Sequence, residues 1–174
     1  MNYFIAKFFS KIFGHQIIIN NYRNQGMQIG DDTHIFSRIV SNEPFLISIG
    51  NRCTISTNVS LLTHDASIGA LLGRDIKSDM CGRISIGNSC FIGSGAILLL
   101  GVNIPDNCIV AAGSVVTKSI QEEGVIIAGN PARVIAKTED FIKKNNSKFM
   151  SLHSMSIEER KNYILNHIDQ LVEK

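Results

Sequence analysis

The sequence predicts an all-β solenoid, a β-helix wound from six-residue repeats with short helical segments at either end. Three observations predict it. From Ile86 to Gln121 an aliphatic residue falls every sixth position, at Ile86, Ile92, Leu98, Ile104, Val110 and Val116. Two places before the next aliphatic sits a small or apolar residue: Cys90, Ala96, Val102, Cys108, Ser114, Ile120. The position after the aliphatic is Gly at Gly87 and Gly93, Pro at Pro105 and Ala at Ala111. A period of six fits neither a lone helix (3.6) nor a lone strand (2), and it is the pattern of short strands and tight corners wrapping a solenoid.

The repeat dictates its packing. Three hexapeptides make one coil of a triangular prism, so residues eighteen apart stack: Ile86 under Ile104, Ile92 under Val110, Leu98 under Val116. Stacked strands lie about 4.8 Å apart, so these side chains touch along the axis, and each buried aliphatic contributes roughly 1.5–3 kcal/mol. The second inward position lies close to a corner and must be small. Cys53, Cys90 and Cys108 occupy it as small hydrophobes.

Length and composition set the bounds. The 174 residues accommodate one domain with small terminal additions. A net charge of +2 is too small to argue for a nucleic-acid partner. The cysteine positions suggest no disulfide framework, which favours a reducing compartment. No apolar run reaches membrane-spanning length, and no small-residue cleavage site follows an apolar N-terminal stretch. A cytoplasmic location is expected, with a peripheral position at the inner membrane face as its extension.

Taken in order, residues 2–13 are expected to form an apolar helix with Lys7 and Lys11 on one side and Phe4, Ile5, Phe8, Phe9, Ile12 and Phe13 on the other. The segment reads as a cap over the open end of the solenoid. Weak contact of residues 1–13 with a membrane surface is the second reading. Gly14 ends the helix, and a strand is expected at Gln16–Ile19. The first coil opens at Ile29. From Ile29 to Ile49 is twenty residues, two more than a coil, so Ser41–Phe45 should bulge. The next coil runs regularly from Ile49 to His64. There the period breaks, and Asp65–Arg83 is a long irregular insertion of the kind that carries binding function. Coils resume at Ile84. Val125–Ile135 reads as a last coil with a tight turn at Gly129–Pro131. A short helix is expected at Thr138–Asn146, and Ser156-Ile157-Glu158-Glu159 is a capping box opening a second. Ile157, Ile164, Ile168 and Leu171 give that helix an apolar stripe to pack on the solenoid or a neighbouring subunit. The predicted division is 1–20 for the N-terminal helix and cap, 21–137 for a catalytic β-helix domain with an insertion at 65–83, and 138–174 for C-terminal helices.

Two runs carry a specific resemblance: Ala111-Ala112-Gly113-Ser114-Val115-Val116-Thr117-Lys118 and Ala128-Gly129-Asn130-Pro131-Ala132-Arg133-Val134-Ile135. With the regular coils and the loop after Thr63-His64-Asp65, they resemble the hexapeptide-repeat acetyltransferases over Ile29–Ile135. These include galactoside and maltose O-acetyltransferases. Glu43-Pro44-Phe45-Leu46-Ile47-Ser48-Ile49-Gly50 and Thr63-His64-Asp65 point to the branch that acetylates capsule or O-antigen polysaccharide. The resemblance implies a left-handed parallel β-helix, an exception to right-handed β crossovers. It also implies a homotrimer with active sites between subunits, acetyl-CoA as donor, no metal, and a sugar or polysaccharide precursor as acceptor.

His64 is the candidate catalytic base of a direct, ternary-complex acetyl transfer. A sugar hydroxyl is a poor nucleophile at neutral pH, and an imidazole suits the removal of its proton, with general-base help worth about 10²–10⁴-fold. His34 is a second candidate. A base needs an orienter on its other ring nitrogen. Asp65 is adjacent, but strand neighbours point to opposite faces. Glu43 lies near the residue twenty positions before His64, in the preceding coil, so Glu43 is expected to orient His64 while Asp65 shapes the loop or meets the sugar. The resemblance places the pantetheine arm near Ser94, Ala112 and Gly129, with the Ser94 N–H a candidate oxyanion donor. It assigns Thr117, Lys118 and Arg133 to the adenosine and phosphate end.

The chain departs from the galactoside type, which has Asn where Phe36 stands and Trp where Phe91 stands, so a galactoside acceptor does not carry over. Other readings are acetylation of an amino sugar or antibiotic, and a non-catalytic β-helix scaffold. A γ-type carbonic anhydrase would need three zinc-binding His, and the repeats hold only His34 and His64.

Overall fold

The structure is a computed structural model that describes residues 16–73, 78–152 and 154–172. The expected helix at residues 2–13, its end at Gly14, and the cap and membrane readings of that segment lie outside the described residues. The chain divides into two compact units, the first ending at Thr138 and the second starting at Glu139.

Three stacks of short parallel strands build the first unit. Face one holds β1 (Gln28–Ile29), β3 (Ile47–Ile49), β8 (Ile84–Ile86) and β11 (Asn103–Ile104). Face two holds β2 (His34–Ile35), β4 (Thr54–Ile55), β9 (Phe91–Ile92), β12 (Ile109–Val110), β14 (Val125–Gly129) and β15 (Ala132–Lys137). Face three holds β5 (Ser60–Leu61), β10 (Ile97–Leu98) and β13 (Val115–Val116). From β3 to β13 the coil strands visit the faces in the order one, two, three and repeat.

The register matches the six-residue period. Ile86 pairs with Ile104, Ile92 with Val110 and Leu98 with Val116. One core ladder, Ile35, Ile55, Ile92, Val110 and Ile127, is wholly inaccessible. The corners are as demanding as the core. A Cβ on Gly87 would stand 2.3 Å from Asp106 Oδ1 and 2.8 Å from the Asp106 backbone N, so the coil above could not seat. Cys53, Cys90 and Cys108 are buried at the small inward position. The Cys53 and Cys90 thiols donate to the corner carbonyls of Gly87 and Pro105 at 3.0 Å, and burial pushes the Cys108 thiol above its ordinary range.

Two register slips interrupt the stack. Ile29 pairs with Ile49 and Ile35 with Ile55, twenty apart. The extra residues are taken up before β3, where Pro44–Leu46 forms a 3₁₀ turn. Ile49 pairs with Ile86, Ile55 with Ile92 and Leu61 with Leu98, each thirty-seven apart, which is nineteen more than a coil.

Among its described residues, that insertion holds more regular structure than expected. β6 (His64–Asp65) pairs antiparallel with β7 (Met80–Cys81), and Ser67–Leu72 forms a six-residue helix, here α2. A two-residue ladder and one and a half helical turns are too short to leave a period in sequence.

Two further expectations are corrected. Gln16–Asn24 is a helix, α1, where a strand was expected at Gln16–Ile19. Ile18, Ile19 and Tyr22 fall on one helical face and are buried in the core, so tertiary packing decides an apolar run that periodicity leaves ambiguous. The segment Val125–Ile135 is not a full last coil. β14 continues the parallel stack, but β15 returns antiparallel to it across Asn130-Pro131, whose peptide bond is cis.

In the second unit, α3 (Thr138–Asn145) begins at the boundary and α4 (Ile157–Leu165) opens with the Ser156–Glu159 capping box. Ser156 N donates to Glu159 Oε2 at 2.7 Å. α4 ends before Ile168 and Leu171, and Ile157 is 91% exposed, so the expected stripe is split and not buried in this chain.

Candidate active site

His64 sits where the coil gives way to the insertion. Leu61 is the last inward aliphatic of its coil, and three residues later the chain rounds the edge between faces three and one. There β7 takes over as its pairing partner, with His64 opposite Cys81. Pairing fixes the His64 backbone, and the side chain is held from the coil below. His64 Nδ1 lies 3.0 Å from Glu43 Oε2. The first register slip makes this reach possible, because the residues it adds carry Glu43 out to the same edge.

Glu43 is held by more than the imidazole. Thr63 Oγ1 donates to the same Oε2 at 2.8 Å, Ser41 Oγ lies 2.7 Å from Thr63 Oγ1, and the Glu43 N–H donates to Ser41 Oγ at 3.0 Å. The Thr63 hydroxyl is the largest influence holding the Glu43 carboxyl below its ordinary range; burial opposes it, and His64 adds to it. An ionised carboxylate that accepts from Nδ1–H leaves Nε2 with its lone pair, the form of imidazole that takes a proton.

Asp65 does not join this group. Its Oδ1 accepts the Ser67 N–H at 2.8 Å at the start of α2, and Ser67 holds its carboxyl below the ordinary range. Its geometry is turn chemistry. His34 lies on face two, stacked with Phe36 at 6.3 Å and 3.9 Å from Asp32 Oδ1.

The remaining sequence-predicted residues fall on two edges. Leu61, Leu98 and Val116 are in register, so Lys118 stands above Thr63, two coils up, about 10 Å along the axis. Lys118 and Arg133 line one groove of about 390 Å³ with Ser119, Gln121, Glu122 and Val134. Thr117 is exposed beside it. Ser94, Ala112 and Gly129 follow the face-two strands β9 and β12 and end β14, so they stack on the other edge, between faces two and three. The Gly113 N–H donates to the Ser94 carbonyl at 2.9 Å, and Gly129 N to Ser114 Oγ at 3.3 Å. His64, Glu43 and Lys118 therefore share an edge that Ser94 does not, while Arg133 pairs with Ala128, next to Gly129.

Sequence reasoning missed Thr63 and Ser41. The signal for Thr63 was strand alternation: a residue beside an outward His points inward, and a hydroxyl there needs a partner. Ser41 lay in the bulge, where no period assigns a direction. Among the described residues, no cluster of three or more His, Cys, Asp or Glu could hold a metal ion. Among the same residues, no helix is long and apolar enough to cross a membrane.

Comparison with known proteins agrees with this architecture. The profile described as the hexapeptide repeat of succinyl-transferase matches residues 83–118. Protein CapG of Staphylococcus aureus is 37% identical over 165 residues, covering 93% of this chain and 95% of CapG. The galactoside O-acetyltransferase of Escherichia coli is 33% identical over 117 residues, 64% of this chain, and the match spans only 57% of that enzyme's length. A hexapeptide-repeat acetyltransferase of Vibrio cholerae, solved in complex with acetyl coenzyme A, superposes with a TM-score of 0.57 at 26% identity, over 65% of this chain and 61% of that one. The hexapeptide coils and these relatives define a class, the acyltransferases built on hexapeptide coils. This chain belongs to the hexapeptide-repeat acetyltransferase family and is an enzyme of that class.

Proposed function

We propose that the protein is an O-acetyltransferase that moves the acetyl group of acetyl-CoA to a sugar hydroxyl in the making of a surface polysaccharide, a capsule or O-antigen. The observation that carries this reading is the His64 imidazole, held 3.0 Å from Glu43 with Nε2 left to act as base. Acetyl-CoA is the donor, as family membership implies and as the complex of the Vibrio relative illustrates.

In this mechanism both substrates bind before chemistry. His64 Nε2 takes the hydroxyl proton as the acceptor oxygen bonds to the thioester carbonyl carbon. The carbonyl electrons move onto oxygen, and a backbone N–H, that of Ser94, stabilises the oxyanion. Collapse re-forms the carbonyl and breaks the C–S bond. The CoA thiolate takes the proton from His64, and the base is regenerated. Glu43 holds the imidazole in the correct tautomer and stabilises the imidazolium between the steps. Ser94, Ala112 and Gly129 take the pantetheine arm, and Thr117, Lys118 and Arg133 take the adenosine and phosphate end. Asp65 anchors α2 beside the acceptor.

The separation of the two edges supports a homotrimer in which the Ser94 edge of one subunit faces the His64 edge of the next. A left-handed winding, a catalytic β-helix over residues 21–137 and a cytoplasmic location complete the reading. Calorimetry of acetyl-CoA and CoA binding to wild type and His64→Ala tests it. Binding by both proteins, with turnover on polysaccharide precursors only by wild type, is expected. Absence of binding by wild type would sink the donor site and leave the scaffold reading.

A further inference from the structure

We infer that Thr63 is a positioning residue for the acetyl transfer, and that with Ser41 and Glu43 it closes a ring of hydrogen bonds that fixes which nitrogen of His64 carries the proton. The inference rests on the proposed role of His64 as base. Its argument is a count of protons. An ionised carboxylate only accepts, so the Thr63 hydroxyl proton is committed to Glu43 Oε2, 2.8 Å away. Thr63 Oγ1 then accepts from Ser41, so the Ser41 proton is committed to the 2.7 Å contact between them. Ser41 Oγ in turn accepts the Glu43 backbone N–H at 3.0 Å. The ring returns to the residue where it began, and no hydroxyl in it is free to rotate.

His64 Nδ1 approaches the same Oε2 that Thr63 holds. The ionised Oε2 has no proton to give, so Nδ1 must carry the hydrogen as long as Oε2 stays against it. Thr63 and Ser41 hold it there, and a carboxylate freed from Thr63 could turn away and leave Nδ1 without a fixed acceptor. Thr63 is only 1% exposed, so its hydroxyl has no water to turn to. The same residue ties in the insertion, because the Gly82 N–H donates to the Thr63 carbonyl at 2.9 Å. Glu43 and Ser41 come from the first register slip, and β7 and Gly82 from the second. Thr63 is where both departures from the period are joined to the regular coil that carries His64.

Thr63→Val removes the hydroxyl at nearly constant volume, and Thr63→Ser restores it without the methyl. Steady-state kinetics should show kcat of Thr63→Val lower by roughly tenfold or more, the scale of a lost hydrogen bond to a charged group, with KM for acetyl-CoA changed less than about twofold. Thr63→Ser should recover most of kcat. Nitrogen and carbon NMR of histidine-labelled protein should find His64 in wild type and Thr63→Ser with its proton on Nδ1, and in Thr63→Val as a mixture of tautomers. Calorimetric binding of CoA by Thr63→Val shows that the fold persists. Unchanged tautomer and kcat in Thr63→Val would overturn the proposal, as would a Thr63→Ser as impaired as Thr63→Val, which would assign the effect to packing of the methyl. The tautomer is read without turnover, so it decides the ring even if the assigned acetyl transfer proves wrong.

Discussion

Two stretches of this solenoid follow different rules. Within Ile84–Val116 the strands pair with one another eighteen residues apart, and the coils are a wall of aliphatic ladders and tight corners. Between Gln28 and Ile86 the partners stand twenty and then thirty-seven away. The regular stretch leaves little room for polar side chains to converge, because each repeat places its outward residues in parallel rows. The irregular stretch brings Ser41, Glu43, Thr63 and His64 to one edge by breaking the rows. In this molecule the period supplies stability, and its failures assemble the candidate base.

That contrast can be broken by substitution, and the largest effect should come from the irregular stretch. His64→Ala is expected to lower kcat by about 10²–10⁴-fold while CoA binding, measured by calorimetry, persists. Ile92→Ala, in the regular wall and fully buried, should cost about 2–5 kcal/mol in denaturant unfolding. Phe45→Ala, in the first slip and 63% exposed, should change stability by no more than about 0.5 kcal/mol. Equal costs at the two positions would mean that the slip is as tightly packed as the wall.

The groove at Lys118 and Arg133 sharpens the comparison, because it borders the regular coils and should bind without catalysing. Lys118→Ala or Arg133→Ala is expected to raise the Kd for CoA by about tenfold at low salt, less at high salt where exposed charges are screened. Loss of kcat with Kd unchanged would place chemistry in the regular part.

The smallest effect concerns Glu43 and pH. Its folded carboxyl titrates below the ordinary value of 4.5, so the unfolded chain takes up its proton first as pH falls. Its contribution is therefore complete above about pH 4.5 and is lost as pH drops through the folded value. Glu43→Gln should have a flatter acid limb in a stability-against-pH series. A limb as steep as that of wild type would show that the carboxylate is not preferentially stabilised in the fold.

The legibility of the sequence follows the same division. Ile86, Ile92 and Leu98 announced their partners because a six-residue period is a statement about neighbours eighteen apart, and the pairing obeys it. The two slips were visible as failed periods at Ser41–Phe45 and after His64. Their internal structure was not, since a 3₁₀ turn, a two-residue antiparallel ladder and a six-residue helix are each shorter than any recurrence. The proximity of Glu43 to His64 followed from counting down one coil. The Thr63 and Ser41 hydroxyls did not, because a hydrogen-bond ring depends on side-chain directions at a bulge. The strand expectation at Gln16–Ile19 fails because four residues hold little more than one helical turn, too few for a 3.6-residue period to show.

The antiparallel return of β15 has a further consequence. A stack of parallel coils is a template at each end, offering ladder groups to the next coil or to the end of another molecule. β15 lies along β14 in the opposite direction and closes the final strand of face two to further parallel addition. At the other end, Ile18, Ile19 and Tyr22 of α1 fill the opening, with Tyr22 Oη donating to the Ser37 carbonyl and accepting the Ile39 N–H. The repeat could in principle grow without limit, so these two terminations help keep the protein a particle of fixed length. A chain cut before Val125 would expose the β12 ladder and favour end-to-end growth into filaments.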